Sequence, residues 1–382
     1  MTLLPLILGM LAAFAPLAID MYLPAFPAMA AALGSDSAGA QLTIASYFVG
    51  MALGQLVYGP LTDRWGRKPP LLFGVGLFVL ASLACALAQS MPQMVWLRLL
   101  QALGGCAGMV VARAVVRDLA DRIDPVRLMG QLMLIMGVAP VLAPSLGGVV
   151  QEWLGWRAIF VALALFGGAA LAMVVLRLPE TLPAPRRLRQ NPAEVVRAYG
   201  TLLGDARFVR PALAGALTSA ALFAYIVGSP AVFMEVHGVP PGRYGLLFGI
   251  NAAGVILGSQ ISAWFARRWG REVLFGRLLI GMVAWAVALL TTTVLDAPLW
   301  AIFVCLLGFV TLLGMTFPLG AVLGLAHFPH MAGTASALMG TLQFGLGGVA
   351  GVVLGAWHDG TGLPMAVVIL GCVATGLMVW RR

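Results

Sequence analysis

Long apolar runs separated by short polar segments dominate the pattern of this 382-residue chain. A helix needs about 20 mostly apolar residues to cross a hydrocarbon core about 30 Å thick. Lipid offers no hydrogen-bond partners to the backbone, so runs of this length form helices. The pattern therefore predicts an all-α membrane protein with twelve spans: Leu3–Ala31, Gln41–Leu61, Pro70–Ala88, Pro92–Val116, Leu128–Val150, Trp156–Leu178, Pro211–Met234, Tyr244–Phe265, Val273–Val294, Leu299–Leu325, Met331–Trp357 and Leu363–Val379.

An internal repeat divides these spans into two groups of six. "GQLVYGPLTDRWGR" begins at Gly54, and "GSQISAWFARRWGR" begins at Gly258. Both place Arg-Trp-Gly-Arg at the same offset, with a shift of 204 residues from Arg64 to Arg268. Parallel repeats of this kind build secondary transporters. We predict an N-terminal half at residues 1–178, a cytoplasmic linker at 179–210, and a C-terminal half at 211–382.

The distribution of positive charge predicts the orientation. Only Arg157 and Arg243 lie in or next to the odd-numbered gaps between spans, and Arg98 and Arg113 fall inside the fourth span. The rest of the 23 Lys and Arg residues lie in or close to the even-numbered gaps, or in the C-terminal tail. The positive-inside rule makes that side cytoplasmic and places both termini there. The net charge of +9 is thus an orientation signal and implies no nucleic acid.

Composition argues against several other classes. The chain is 61% hydrophobic and 10% charged, which is far from a soluble domain. The single lysine, Lys68 in "GRKPP", does not fit a phosphate-binding loop, which argues against an ATP-driven pump. Histidines and cysteines show no ligand or disulfide spacing. His327 and His330 are either a solvated pair in a loop or, as the weaker interpretation, ligands of a metal ion. We expect no enzyme activity, metal or cofactor; the residues concerned are His237, His327, His330, His358, Cys85, Cys106, Cys305 and Cys372.

The loop "GPLTDRWGRKPP" after the second span carries more than topogenic charge. Gly66 suits a tight turn, while a carboxylate at Asp63 either caps a neighbouring helix N-terminus or pairs with Arg67. Such a contact would act as a latch that holds one conformation. The candidate latch residues are Asp63, Arg64, Gly66, Arg67 and Asp118. The second copy has Arg267 in place of Asp63, which predicts a latch in one half only.

Asp20 is the only acidic residue well inside a span. A central Asp costs about 2.5–3.5 kcal/mol to insert, which favours a functional role over a position near the outer water. Arg98 lies about 9 Å into the fourth span, at a compatible depth. We therefore predict an Asp20–Arg98 pair that couples transport to protons. Arg113, near the inner face, either snorkels to water, attracts substrate or pairs with Asp118.

Polar and aromatic residues within the spans are candidates for a substrate cavity, although interhelical hydrogen bonds or packing explain each of them almost as well. The candidates are Tyr22, Gln101, Arg113, Tyr225, Asn251, Gln343 and Phe344. The fifth span adds a run of prolines and glycines that indicates either close helix packing or a hinge. This run comprises Gly137, Pro140, Pro144, Gly147 and Gly148.

Several of these stretches resemble one family. The loop Gly59–Lys68 resembles the signature loop of the major facilitator superfamily. "RLLQALGGCAG" resembles its fourth-helix motif, with Ala102 where Gly is usual. "GVAPVLAPSLGG" resembles the fifth-helix motif of antiporters, with Ala143 where Gly often precedes Pro144. "IDMYLPAFP", "VVRDLADR", "YGLLFGINAAG" and "GTASALMGTLQFGLG" together are similar to the bicyclomycin-resistance (Bcr/CflA) subfamily of drug:proton antiporters.

The resemblance implies a major facilitator fold in a bacterial inner membrane. It also implies export of small amphiphilic drugs, bicyclomycin- or phenicol-like, in exchange for protons. The expected partners are the drug, protons and the lipid bilayer, and the expected state is a monomer. The same fold serving as a proton-coupled exporter of a sugar or amino-acid metabolite is the alternative.

Overall fold

The computed structural model describes residues 3–119, 125–187, 192–328 and 331–381. Within these ranges the chain is helical, with no strand. The helices are α1 Leu4–Asp20, α2 Phe26–Ala32, α3 Ser37–Trp65, α4 Lys68–Ala86, α5 Met91–Asp118, α6 Pro125–Leu154, α7 Trp156–Arg177, α8 Pro192–Leu203, α9 Ala206–Pro230, α10 Pro241–Trp269, α11 Arg271–Val294, α12 Leu299–Leu325, α13 Ala332–Ala356 and α14 Leu363–Arg381. The stretch "VVRDLADR" is described only as far as Leu119.

The twelve predicted spans are confirmed. Twelve helical segments are long and apolar enough to cross a membrane, and α1 and α2 together form the first of them. Among the α-helices of the described residues, α8, in the segment between the sixth and seventh spans, is the one that belongs to no span. The chain is a multi-pass membrane protein with two six-helix repeats.

The repeated Arg-Trp-Gly-Arg sequence forms the same turn in both halves. Gly66 ends α3 with φ +91°, and Gly270 ends α10 with φ +80°. These dihedral angles lie in a region that residues with a Cβ rarely adopt, which explains the glycine at both turns. We call the side of the bundle with these turns and α8 the linker face, and the opposite side the far face.

Two spans are interrupted on the far-face side. The first span leaves α-helical geometry after Asp20, passes through a 3₁₀ turn at Leu23–Ala25 and continues as α2. The seventh span continues from α9 into a π-helical turn at Ala231–Val236. Such turns often occur at functional positions. Both interruptions lie in the stretches where the two halves meet.

The two halves are built alike. In the N-terminal half α5 packs against α1, α3 and α4, and in the C-terminal half α12 packs against α9, α10 and α11. The halves join mainly where α3 packs on α13 and where α6 packs on α10. Glycines permit this approach: a Cβ on Gly351 would lie 2.9 Å from the Ala45 Cβ. The core thus includes the seam between the halves.

The segment between the halves has two differently anchored parts. Glu180 and Thr181, just after α7, bond to residues of the N-terminal half. Helix α8 instead packs on α9 and α13 through a small apolar cluster that includes Leu202, Phe208 and Leu338. The exact domain boundaries at residues 179 and 210 remain a prediction.

Candidate functional site

Arg98 is the largest fully buried side chain, and it lies on α5 beside the end of α1. Its guanidinium donates to the Ala18 carbonyl at 2.9 Å and to Gln101 Oε1 at 2.5 Å. The rings of Tyr22 and Tyr47 lie 4.2 Å and 4.3 Å from its Cζ. Two aromatic faces and two acceptors thus replace the water that the charge lost on burial.

The predicted Asp20–Arg98 pair does not form a direct bond in this structure, and its role in proton coupling remains a prediction. Arg98 reaches the backbone carbonyl of Ala18, two residues before Asp20. No ion pair or hydrogen bond joins the Asp20 carboxylate to another residue in the described ranges. Asp20 Oδ1 and Arg98 Nε are both buried without a partner. The guanidinium is held by the carbonyl, Gln101 and the tyrosines, so Asp20 is left free for another role.

A second polar cluster faces this region from the C-terminal half. Asn251 donates through Nδ2 to the Tyr225 hydroxyl at 3.0 Å, and the hydroxyls of Tyr244 and Ser229 lie 2.9 Å apart. Both tyrosines lie within electrostatic reach of Asp20. Asn251 Oδ1 is buried without a partner. The C-terminal half therefore places neutral polar groups within electrostatic reach of Asp20.

The predicted cavity residues fall into three groups. Tyr22 and Gln101 support Arg98 and the helices around it; Tyr22 bonds to Thr43 at 2.8 Å and Gln101 donates to Ser82 at 2.7 Å. Tyr225 and Asn251 form the C-terminal cluster. The remaining three are accessible: Gln343 and Phe344 are half-buried, and Arg113 is exposed. Their role in binding substrate remains a prediction.

The far face is closed above Asp20. Every residue of 18–26 and of 224–234 is buried. Ser37, at the start of α3, donates a hydrogen bond to the Glu235 carboxylate across the two halves. In this conformation water on the far face has no path along either stretch to the Asp20 carboxyl.

The turn at Gly66 brings three of the predicted latch residues, Asp63, Arg67 and Asp118, into contact, and their role as a latch remains a prediction. Arg67 bonds to Asp63 at 2.5 Å and to the two oxygens of Asp118 at 2.8 Å and 3.1 Å. Of the two predicted contacts for Asp63, the pairing with Arg67 is the one present. Asp118 therefore pairs with Arg67 and does not pair with Arg113, and Arg64 is exposed. Burial alone would lower the pKa of Arg67, but the bonds to Asp118 and Asp63 outweigh it and raise that pKa.

Sequence reasoning missed Glu180, which completes this network. Its carboxylate accepts from the backbone N–H groups of Arg67 at 2.8 Å and Lys68 at 3.1 Å, at the N-terminus of α4. Partial burial raises the pKa of Glu180, but these backbone bonds outweigh it and lower that pKa overall. Thr181 donates to Asp118 at 3.1 Å. An acid placed directly after a span, in "PET", was the available signal.

The glycines of the fifth span make close contacts along α6. A Cβ on Gly147 would collide with the Met21 carbonyl in the interrupted first span. One on Gly148 would lie 3.3 Å from the Pro241 carbonyl, and one on Gly137 would lie 3.3 Å from Ile256. Pro140 and Pro144 lie inside a helix that continues past both. These contacts favour the packing interpretation, and a hinge role remains a prediction.

No group of three His, Cys, Asp or Glu side chains within the described ranges has the arrangement of a metal site. His330 lies outside those ranges. Three cysteines are buried and unpaired, namely Cys85, Cys106 and Cys305, while Cys372 is partly exposed.

Comparison with known proteins defines the class. The family model described as Major Facilitator Superfamily matches residues 8–379, which is nearly the whole chain. The chain therefore belongs to this superfamily of transporters. Its fold is similar to that of the D-xylose–proton symporter, with a TM-score of 0.76 at 18% identity, covering 100% of this chain and 96% of that one.

Relatives in three bacteria cover almost the full length. The chain is 35% identical over 380 residues to an uncharacterized MFS-type transporter, YdgK, of Bacillus subtilis, covering 99% of this chain and 94% of the relative. It is 29% identical to a bicyclomycin resistance protein homolog of Haemophilus influenzae, with 98% and 94% covered. It is 33% identical to a chloramphenicol resistance protein of Pseudomonas aeruginosa, with 96% and 88% covered.

Proposed function

We propose that this protein exports small amphiphilic drugs from the cytoplasm in exchange for protons, in a bacterial inner membrane with both termini inside. Its membership of the superfamily and its full-length similarity to proteins named for bicyclomycin and chloramphenicol resistance support the substrate class. The observation that carries proton coupling is Asp20: it is 4% exposed, and the described residues offer it no bonding partner.

Asp20 would take a proton when the far face is open and release it towards the cytoplasm. A carboxylate in an apolar site without a partner is costly, so the neutral acid fits the closed far face. The charged form would favour the open far face, where water reaches the carboxylate; a proton bound from that side would then remove the charge and favour closure. Rocking of the two halves around a site near the midplane provides the alternation.

Arg98 would act through the backbone. Its bond to the Ala18 carbonyl fixes the end of α1, and therefore the position of Asp20, relative to α5. The tyrosine and asparagine cluster of the C-terminal half would sense the charge on Asp20 and transmit it to the seam. Drug binding would use the accessible side chains nearby, among them Arg113, Gln343 and Phe344.

A susceptibility screen tests the substrate class. An efflux-deficient bacterial strain expressing the protein is exposed to bicyclomycin, chloramphenicol and a panel of sugars and amino acids that are toxic in excess. We expect protection against the two drugs and loss of this protection in Asp20→Asn. Protection only against a metabolite would replace drug export with metabolite export on the same fold.

A further inference from the structure

The second copy of the repeated turn carries a row of three contacting aromatic rings, one pair edge-to-face and one pair tilted, with a guanidinium at each end. The Trp264 and Phe265 ring centroids lie 4.7 Å apart, and those of Phe265 and Trp269 lie 5.0 Å apart. Arg268 Cζ lies 6.0 Å from the Trp264 ring, and Arg277 Cζ lies 4.9 Å from the Trp269 ring. We call these five residues the arginine–tryptophan ribbon.

The basic side chains of this region form no ion pairs with other residues in the described part of the chain. Arg267, Arg268, Arg271 and Arg277 are all exposed. None of them forms an ion pair within the part of the chain that the structure describes, and the neighbouring acid Glu272 forms none there either. Four guanidinium groups beside one carboxylate leave a local positive excess.

The first copy of the turn shows what this region lacks. There Asp63 and Asp118 bind the buried Arg67. The shift of 204 residues at the turn places Arg267 at the position of Asp63, and α12, the counterpart of α5, contains no acidic residue between Leu299 and Leu325. The arginines of the second copy have therefore lost both internal acids and are available to an external anion.

The position of the ribbon identifies that anion. Helix α10 ends at Trp269 and α11 begins at Arg271, so the ribbon lies where two spans leave the membrane on the linker face. Trp264 is 53% exposed and Trp269 is 40% exposed, and exposed tryptophans prefer the membrane–water boundary. The planar fork of arginine binds phosphate oxygens in pairs.

We propose that the arginine–tryptophan ribbon binds the phosphate headgroup of an anionic phospholipid in the leaflet of the linker face. Arg268 and Arg277, one at each end of the ribbon, attract and donate to the anionic headgroup region, while Trp264 and Trp269 contact the glycerol and upper acyl region. The other interpretation is that these arginines act only through the number of charges that they add to this side.

Native mass spectrometry of the full-length protein in detergent distinguishes a specific lipid site from a general effect of positive charge. The probes are dioleoylphosphatidylglycerol, the matched phosphatidylcholine and inorganic phosphate. The test variant is Arg268→Gln with Arg277→Gln. The control is Arg197→Gln with Arg210→Gln, which removes two exposed charges from the same face, on α8 and α9 instead of α10 and α11. Elution as a single peak on size exclusion shows that each variant is folded.

Removing two basic groups near an anionic lipid should weaken phosphatidylglycerol binding about 30-fold in the test variant. The control should stay within about twofold of the unmodified protein, and phosphatidylcholine binding should change in neither. Equal losses in the two variants, or equal affinity for both lipids, would overturn the site. Displacement of phosphatidylglycerol by inorganic phosphate would assign the site to a free anion instead of a lipid.

Discussion

The two halves share a fold but differ in where they bury charge. The buried acidic and basic side chains of the described residues are Asp20, Arg67 and Arg98, all in the N-terminal half. The buried polar groups of the C-terminal half are neutral there: Thr218, Ser219, Ser229, Asn251, Ser262 and Thr316. Repetition has therefore kept the helix geometry and changed the electrostatics. We infer that the N-terminal half carries the proton and the C-terminal half responds to it.

The largest expected effect comes from the acid itself. Asp20→Asn should leave the protein folded and abolish drug uptake into everted vesicles under a proton gradient, because an amide cannot release a proton in this range. Glu235→Gln, which alters the exposed acid of the other half, should retain coupled uptake. Full uptake by Asp20→Asn would show that the N-terminal half does not carry the proton through Asp20.

Next in size is the stability cost of losing the buried arginine. Arg98→Ala leaves two buried acceptors, at Ala18 and Gln101, without a donor and opens a cavity. The expected loss is about 3–5 kcal/mol of unfolding free energy. Arg113→Ala, at an exposed position on the same helix, should cost less than about 1 kcal/mol. Thermal unfolding in detergent measures both, and equal losses would contradict the burial argument.

Among the described residues, one buried acid in the N-terminal half and none in the C-terminal half predict one proton per substrate. Export of a neutral drug would then move one net charge, and 100 mV on one charge is worth about 2.3 kcal/mol. That corresponds to roughly a fiftyfold change in the attainable gradient. Proteoliposomes with a potassium diffusion potential and no pH difference provide the measurement. A protein that is active under a pH gradient but unresponsive to voltage would rule out this stoichiometry.

The two repeated turns offer a smaller and direct comparison. Arg67→Gln should destabilise the protein by about 2–3 kcal/mol, because Asp63 and Asp118 lose a charged donor. Arg271→Gln, the same position in the second copy, should change stability by no more than about 0.5 kcal/mol. Comparing the melting temperatures of the two variants tests this difference. Similar shifts would mean that Asp63 and Asp118 do not contribute to stability through Arg67.

The smallest effect concerns pH. The pKa of Glu180 is lowered from its usual 4.5, so its contribution is complete above that value and is lost as pH falls through the folded-state pKa. Since the side chain is only partly buried, we expect less than about 1 kcal/mol. Melting curves between pH 7 and 4 should show Glu180→Gln and the unmodified protein converging as pH falls. A difference in melting temperature that does not change with pH would mean that Glu180 does not stabilise the protein through its charge.

The sequence predicted the spans well because a membrane helix has a direct signal in length and apolarity. It also indicated the repeated turn, since only glycine suits the dihedral angles at Gly66 and Gly270. Helix α8 was not predicted. Its sequence is too polar for a span, and its apolar face is matched only by α9 and α13.

The site was less predictable for a geometric reason. Depth along a helix placed Asp20 and Arg98 at one level, but depth does not fix the direction in which a side chain points around the helix axis. Arg98 took a backbone carbonyl that no sequence pattern identifies. Glu180 lies 113 residues from Arg67, so its role as a cap depended on the tertiary fold.

The burial of the cysteines makes this transporter convenient for site-directed labelling. Cys85, Cys106 and Cys305 are shielded from a maleimide reagent in the folded protein, and Cys372 is the only partly accessible thiol among the four. Replacing Cys372 by alanine would therefore give a nearly silent background without a full cysteine-free redesign. A cysteine introduced at Ser37 would then report, by its labelling rate, each time the contact with Glu235 breaks and the far face opens.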